Sequence, residues 1–229
     1  MHISRSNPQP AFNAPHTERR ARWISLAEFL LGALVILGDN VWRVLPNSVF
    51  LLAAMALLSI RLREGSWSAI GLRLARPWRC LGIAVAAVVA QQALGQFVVD
   101  PLTKPYLRYA AGANPMMGAH GLGLVRWLAV IWTYAAFGEE LAYRRFLLRR
   151  VAHAAGNSRL AVALGLLASS ALFGCAHWYQ GPAGVVSASV SGLLFGAAYL
   201  LAGNLWTPIC AHGLSDSLAL FATYFKLGG

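Results

Sequence analysis

The chain has 229 residues, of which 58% are hydrophobic and only 12% charged, with a mean hydropathy of +0.55. A soluble domain carries about 25% charged residues, so this composition excludes one and points to a polytopic membrane protein. The net charge of +11 raises a nucleic-acid partner, but the arginines cluster between apolar runs, as in cytoplasmic loops of membrane proteins, and no nucleic-acid role is expected.

Residues 1–22, with Pro8, Pro10, Pro15 and the basic group Arg19, Arg20, Arg22, read as a flexible tail ending at a membrane surface. Residues 24–38 have the length of a signal-peptide core, yet Asp39 and Asn40 stand where a small-residue cleavage site belongs, so an uncleaved first span is expected. A second span follows over 44–60, with Pro46 near its start. The stretch 61–79 alternates arginines (Arg61, Arg63, Arg73, Arg76, Arg79) with Trp67, Ile70, Leu72, Leu74 and Trp78, the pattern of an interfacial segment.

A third span, 81–99, is uncharged and carries Gln91, Gln92 and Gln96, candidates for a bundle-facing side. After a connection over 100–120, the apolar run from 122 holds only Gly138 as a breaker, so one long helix is expected to continue through Glu139 and Glu140 to Arg149 and Arg150. Arg145, Arg149 and Arg150 read as a solvated or headgroup-facing edge. Spans at 160–178, 183–202 and 205–225 complete the chain. In the sixth, the spacing of Ser187 with Ser191 and of Gly192 with Gly196 permits close helix approach. The expectation is an all-α, polytopic helical membrane protein of seven spans, or eight with a re-entrant element, forming one transmembrane domain over 23–229. The arginine distribution places the amino terminus in the cytoplasm. Arginine outnumbers lysine 17 to 2, which with the alanine content suggests a GC-rich bacterial source and hence an inner (plasma) membrane. Cys80, Cys175 and Cys210 are odd in number and lie in or beside apolar runs, so buried thiols rather than disulfides are expected.

Polar outliers interrupt three of these spans: Glu139 with Glu140, His177, and His212 with Asp216. Each intramembrane charge costs about 2.5–3.5 kcal/mol even on lenient scales, so it persists where it is paired or functional. At a rise of about 1.5 Å per residue the three sites bracket the membrane midplane with a spread of about 13 Å, which requires tilt, a kink or a broken helix; Pro208 and Gly174 could supply one. Glu140 and Arg144 are four apart on one helix face, in the order that favours an ion pair, and Glu139 points about 100° away. His212 and Asp216 also share a face, and Phe173 lies one turn before His177. The repeated Cys-Ala-His at 175–177 and 210–212 suggests zinc, but residues two apart on a helix diverge by about 200°. A set of His177, His212 and a carboxylate stays open for that metal.

The motifs Glu139-Glu140-x-x-x-Arg144, Phe173-x-x-x-His177 and His212-x-x-x-Asp216 occur in this order on successive polar-bearing spans. They resemble those of the CAAX protease and bacteriocin-processing (CPBP, or Abi) family of intramembrane proteases, over about 122–220, a family similar to the Ras-converting CAAX endopeptidase. The resemblance implies an intramembrane endopeptidase acting on a membrane-associated protein or peptide within the lipid bilayer. It implies Glu139 as general base, His177 as partner in holding the water, and His212 with Asp216 at the oxyanion. Glu140, Arg144 and Phe173 would support them. The family has been described both as metallo- and as glutamate proteases; the second description implies no cofactor and is the one adopted. An ionised Asp216 cannot donate to an oxyanion, so it is either protonated or orients and charges His212. Two other classes stay open: a transporter or scaffold using the same polar residues, and a zinc-dependent peptidase.

Overall fold

A computed structural model of the chain describes residues 15–110 and 122–225, and among these the regular structure is entirely helical. Helix α1 (Pro15–Asn40) begins inside the stretch expected to be a tail, so residues 15–22 are helical; residues 1–14 lie outside the described residues. It is followed by α2 (Ser48–Glu64) and a short 3-10 turn (Trp67–Ile70). Helix α3 (77–103) comprises Pro77–Leu94 and its continuation to Thr103. Helix α4 runs unbroken over 122–154, and α5 (Arg159–Ala176), α6 (Gly181–Ala202) and α7 (Trp206–Tyr224) complete the bundle. Among the described residues, four segments are long and apolar enough to cross a bilayer: Thr17–Asn40, Pro77–Thr103, Arg159–Ala176 and Trp178–Ala202. The protein is therefore a polytopic helical membrane protein. Large apolar side chains such as Leu30, Leu34, Phe50, Val89 and Phe97 are exposed on its outside, as lipid contact requires.

Helix α4 is central. Every residue from 140 to 148 is buried, and Leu141, Tyr143, Phe146 and Leu147 join Ile36, Leu52, Ile60, Phe173 and Ile209 in the main core. Two stretches of α4, Ile131–Glu139 and Leu141–Leu148, take the wider π-helical hydrogen bonding, a feature that concentrates at functional sites and that no residue type announced. The α5–α6 contact is close enough that a Cβ on Gly192 would lie 3.1 Å from the Ser170 backbone, and one on Gly174 would lie 2.6 Å from the Val185 carbonyl. The small-residue spacing of the sixth span serves this approach. Asp39, unfavourable to signal cleavage, is structural: its carboxylate accepts the Ser48 N–H at 2.5 Å at the start of α2, where Asn47 is the N-cap and accepts from the Phe50 N–H, while the Asn40 amide donates to Ser48 Oγ at 2.9 Å.

One end of the bundle gathers the start of α1, the end of α2, the 61–79 segment, and the ends of α4 and α6. Arg145 and Arg150, expected at a solvated edge, are buried there; only Arg149 is exposed. The cause is pairing. Arg145 binds Glu64 and the Ala69 carbonyl, and Arg150 faces Glu28 at 3.1 Å and donates to Ser59 Oγ at 2.8 Å. Arg63 binds the same Glu28 carboxylate at 2.5 Å, so one acid ties α1, α2 and α4 together. Sequence distance conceals this, since Glu28 and Arg150 are far apart along the chain.

His153 closes the network. Arg63 donates to Ser25 Oγ at 2.8 Å, and that hydroxyl, 3.0 Å from His153 Nδ1, donates onward to a neutral ring. Burial, with the Arg63 charge behind it, holds His153 below its usual value of 6.5. The unfolded chain then binds more protons than the folded one in this range, so the contribution is complete above about pH 6.5 and is lost as pH falls through the folded value. The thermal unfolding midpoint in neutral detergent is expected to drop on acidification below pH 6.5, and His153→Gln to flatten that limb; an unchanged profile would contradict the assignment.

Candidate active site

The polar residues of α4, α5 and α7 meet around Phe173. Its ring lies 4.8 Å from that of His177, 5.7 Å from that of His212 and 5.0 Å from that of Tyr143. The Arg144 guanidinium sits 4.6 Å from the Phe173 centroid, in cation–π range. The required convergence is met at the end of α5. His177 is the C-cap residue, and the chain turns directly into Trp178–Gln180, which swings its ring back over the bundle. Its Nδ1 lies 2.8 Å from the Phe173 carbonyl and donates to it, leaving Nε2 with the lone pair of a neutral ring.

Glu140 is fully buried and has two partners. Arg144 Nε lies 3.0 Å from one carboxylate oxygen, the i,i+4 pair expected from spacing. The other oxygen, 2.9 Å away, accepts from His212 Nδ1. This second contact corrects the simpler assignment of Glu140 to Arg144 alone, and links α4 to α7. Arg144 also donates to the Gly192 carbonyl at 3.1 Å, joining α6 to the cluster. The far nitrogen of His212, Nε2, lies 3.4 Å from Asp216 Oδ2, as their shared face implied. Donating to both carboxylates at once requires both ring nitrogens of His212 to carry protons.

Glu139 is half-buried. Among the described residues, its buried Oε2 has no hydrogen-bond partner, and the carboxylate lies within electrostatic reach of His212, Asp216, Glu140 and Arg144. A cavity of about 150 Å³ is lined by Phe173, His177, His212 and Asp216 together with Gln91, Gln180, Ser187, Ser191 and Phe195, and Glu139 is not among its lining residues. Several of these were not assigned to the site from sequence. Ser187 and Ser191 carried only a packing signal, yet they line the cavity; Ser191 Oγ accepts from the Gln91 amide at 2.9 Å, and Gln91 accepts from Ser215 at 2.5 Å. Of the three glutamines expected on a bundle-facing side, Gln91 is engaged in the interior, whereas Gln92 and Gln96 are exposed. Phe195 stacks on His212 with centroids 5.0 Å apart, and Tyr179 on His177 at 5.9 Å. An aromatic residue in an apolar helix gives no signal that could have placed it there. Among the described residues, no group of three His, Cys, Asp or Glu side chains is arranged to hold a metal.

Fold and site together define a membrane protein with a carboxylate–histidine centre enclosed among its helices. More particularly, residues 121–218 match the family described as type II CAAX prenyl endopeptidase Rce1-like, which bears out the resemblance carried by the three motifs. The match spans the segment that contributes Glu139, His177, His212 and Asp216, and it supports an intramembrane endopeptidase of the CAAX type in general, a hydrolase of membrane-associated protein substrates. Comparison with curated proteins and with solved structures returned no match.

Glu140 holds two cationic partners at a fully buried position, and breaking one buried pair by removing a partner costs about 3–5 kcal/mol. Glu140→Gln is therefore expected to lower the thermal midpoint strongly, while Arg149→Gln, at an exposed position, leaves it within a degree or so. Equal midpoints for the two variants would remove Glu140 from its structural role.

Proposed function

We propose that the protein hydrolyses a peptide bond of a membrane-associated substrate with a water activated by Glu139 and His177. The observation that carries this is the buried Glu139 oxygen without a hydrogen-bond partner among the described residues, within electrostatic reach of His212 and Asp216, which with His177 line a cavity. A water held by the Glu139 carboxylate and His177 Nε2 attacks the carbonyl carbon, giving its proton to Glu139. The oxyanion that forms is stabilised by His212, whose Nε2–H turns to it from the long 3.4 Å contact with Asp216. Asp216 and Glu140 keep the ring oriented and charged, which gives the acidic side chain beside the oxyanion an orienting role. Glu139 then returns the proton to the nitrogen as the C–N bond breaks, leaving an acid and an amine. No covalent intermediate forms.

General acid–base groups typically contribute about 100- to 10,000-fold. Glu139→Gln and His177→Ala are accordingly expected to reduce cleavage by that order while remaining folded, read as product peptides by mass spectrometry from membranes of cells bearing each form. Undiminished products in Glu139→Gln would end the proposal. Flux without cleavage, abolished by the same variant, would instead establish a transporter. Stoichiometric zinc with activity lost to chelator and restored by metal would replace the glutamate mechanism with a metallo one.

The arginine-rich end, by the positive-inside rule, lies in the bacterial cytoplasm with the amino terminus. Gln180 and Ser187, near the start of α6 at the opposite end of the bundle, line the cavity, which supports entry of substrate from the non-cytoplasmic side. With the three native cysteines replaced by alanine, Tyr179→Cys is expected to react with an impermeant maleimide in intact cells and Arg76→Cys only after permeabilisation. The reverse pattern would invert the orientation.

A further inference from the structure

The interfacial segment has a use that the reaction leaves unassigned. Arg73, Arg76 and Arg79 line a cavity of about 440 Å³ between the start of α3 and the turn joining α6 to α7, together with Ala75, Cys80, Ala202, Gly203 and Asn204. All three arginines are exposed, and among the described residues no carboxylate pairs with any of them; Arg79 donates to the Leu201 carbonyl at 3.2 Å. The contrast with Arg63, Arg145 and Arg150 at the same end is sharp, since each of those is held by Glu28 or Glu64. No side chain caps the amino terminus of α3 at this wall, so the positive end of an 18-residue helix segment adds to the field.

The flanks are apolar. Trp78 is 83% exposed, and Leu74 and Leu201, adjacent in sequence to lining residues, are exposed too. Three unpaired guanidinium groups fit a phosphate, which arginine grips through its fork of donors, and exposed tryptophan and leucine beside them fit acyl chains at a membrane interface. A soluble anion needs no such apolar border.

We propose that Arg73, Arg76 and Arg79 form a binding site for the phosphate of an anionic membrane phospholipid, its chains lying along Trp78, Leu74 and Leu201. The site stands apart from the reaction centre and does not depend on the proposed hydrolysis. It is nonetheless tied mechanically to both catalytic helices. The Gly71 carbonyl accepts the Leu205 N–H at 2.8 Å and the Leu72 carbonyl accepts Trp206 Nε1–H at 2.7 Å, at the start of the helix that carries His212; Ala69 accepts from Arg145 on α4.

The test is a titration of the purified full chain in neutral detergent with phosphatidylglycerol or phosphatidylcholine brominated in the acyl chains, read by tryptophan quenching. Phosphatidylglycerol is expected to bind at least about tenfold more tightly, in line with the attraction of several basic residues for an anionic lipid. Arg73→Gln/Arg76→Gln/Arg79→Gln should erase the preference, Arg76→Gln alone should weaken it, and Trp78→Phe should remove most of the saturable quenching. An equal loss of charge elsewhere, Arg19→Gln/Arg20→Gln/Arg61→Gln, should leave the preference intact. Equal binding of the two lipids by the unsubstituted chain overturns the proposal without recourse to any variant. So does an equal effect of the distant substitutions, which would show diffuse attraction, or displacement of the lipid by millimolar inorganic phosphate, which would show a site for a soluble anion.

Discussion

The buried carboxylate of Glu140 is the constraint on which the rest of the site depends. It faces Arg144 on one side and His212 on the other, with no exposure to solvent. A lone ion at such a position would cost many kcal/mol, and its tolerance rests on close geometry with both partners. The two contacts therefore specify how α4 and α7 register, and the Arg144 bond to the Gly192 carbonyl adds α6. A half-formed version of this cluster is worse than none, so it selects one arrangement of helices.

From that arrangement the two adjacent glutamates separate in role. Glu140 is engaged on both oxygens by cationic neighbours. Glu139, one residue away, has a buried oxygen with no hydrogen-bond partner among the described residues. Phe173 packs against both histidine rings and the Arg144 guanidinium, gathering them around one aromatic side chain. The pairing of His177 Nδ1 with the Phe173 carbonyl then decides which ring nitrogen can serve water.

The arginines divide in the same way. Those held by Glu28 and Glu64 tie α1, α2 and α4 together, whereas Arg73, Arg76 and Arg79 have no acidic partner among the described residues and face outward beside exposed tryptophan. Identical side chains become internal struts or stay exposed according to whether a carboxylate lies within reach.

Much of the architecture was legible in the residues themselves. Apolar runs long enough for a bilayer, separated by arginine, turn glycines or prolines, define the helices because a backbone in lipid must satisfy its own hydrogen bonds; the unbroken α4 and the break at 203–204 follow from this. Spacing also announced the Glu140–Arg144 and His212–Asp216 pairs, since residues four apart share a helix face. What lies between helices had no such rule. The Glu140–His212 contact, the burial of Arg145 and Arg150, the π-helical course of α4 and the placing of Phe195 and Tyr179 over the histidines were decided by tertiary packing alone. Periodicity assigns a side chain to a face, but only the partner that arrives at that face determines whether a charge is solvated, paired or left free for chemistry.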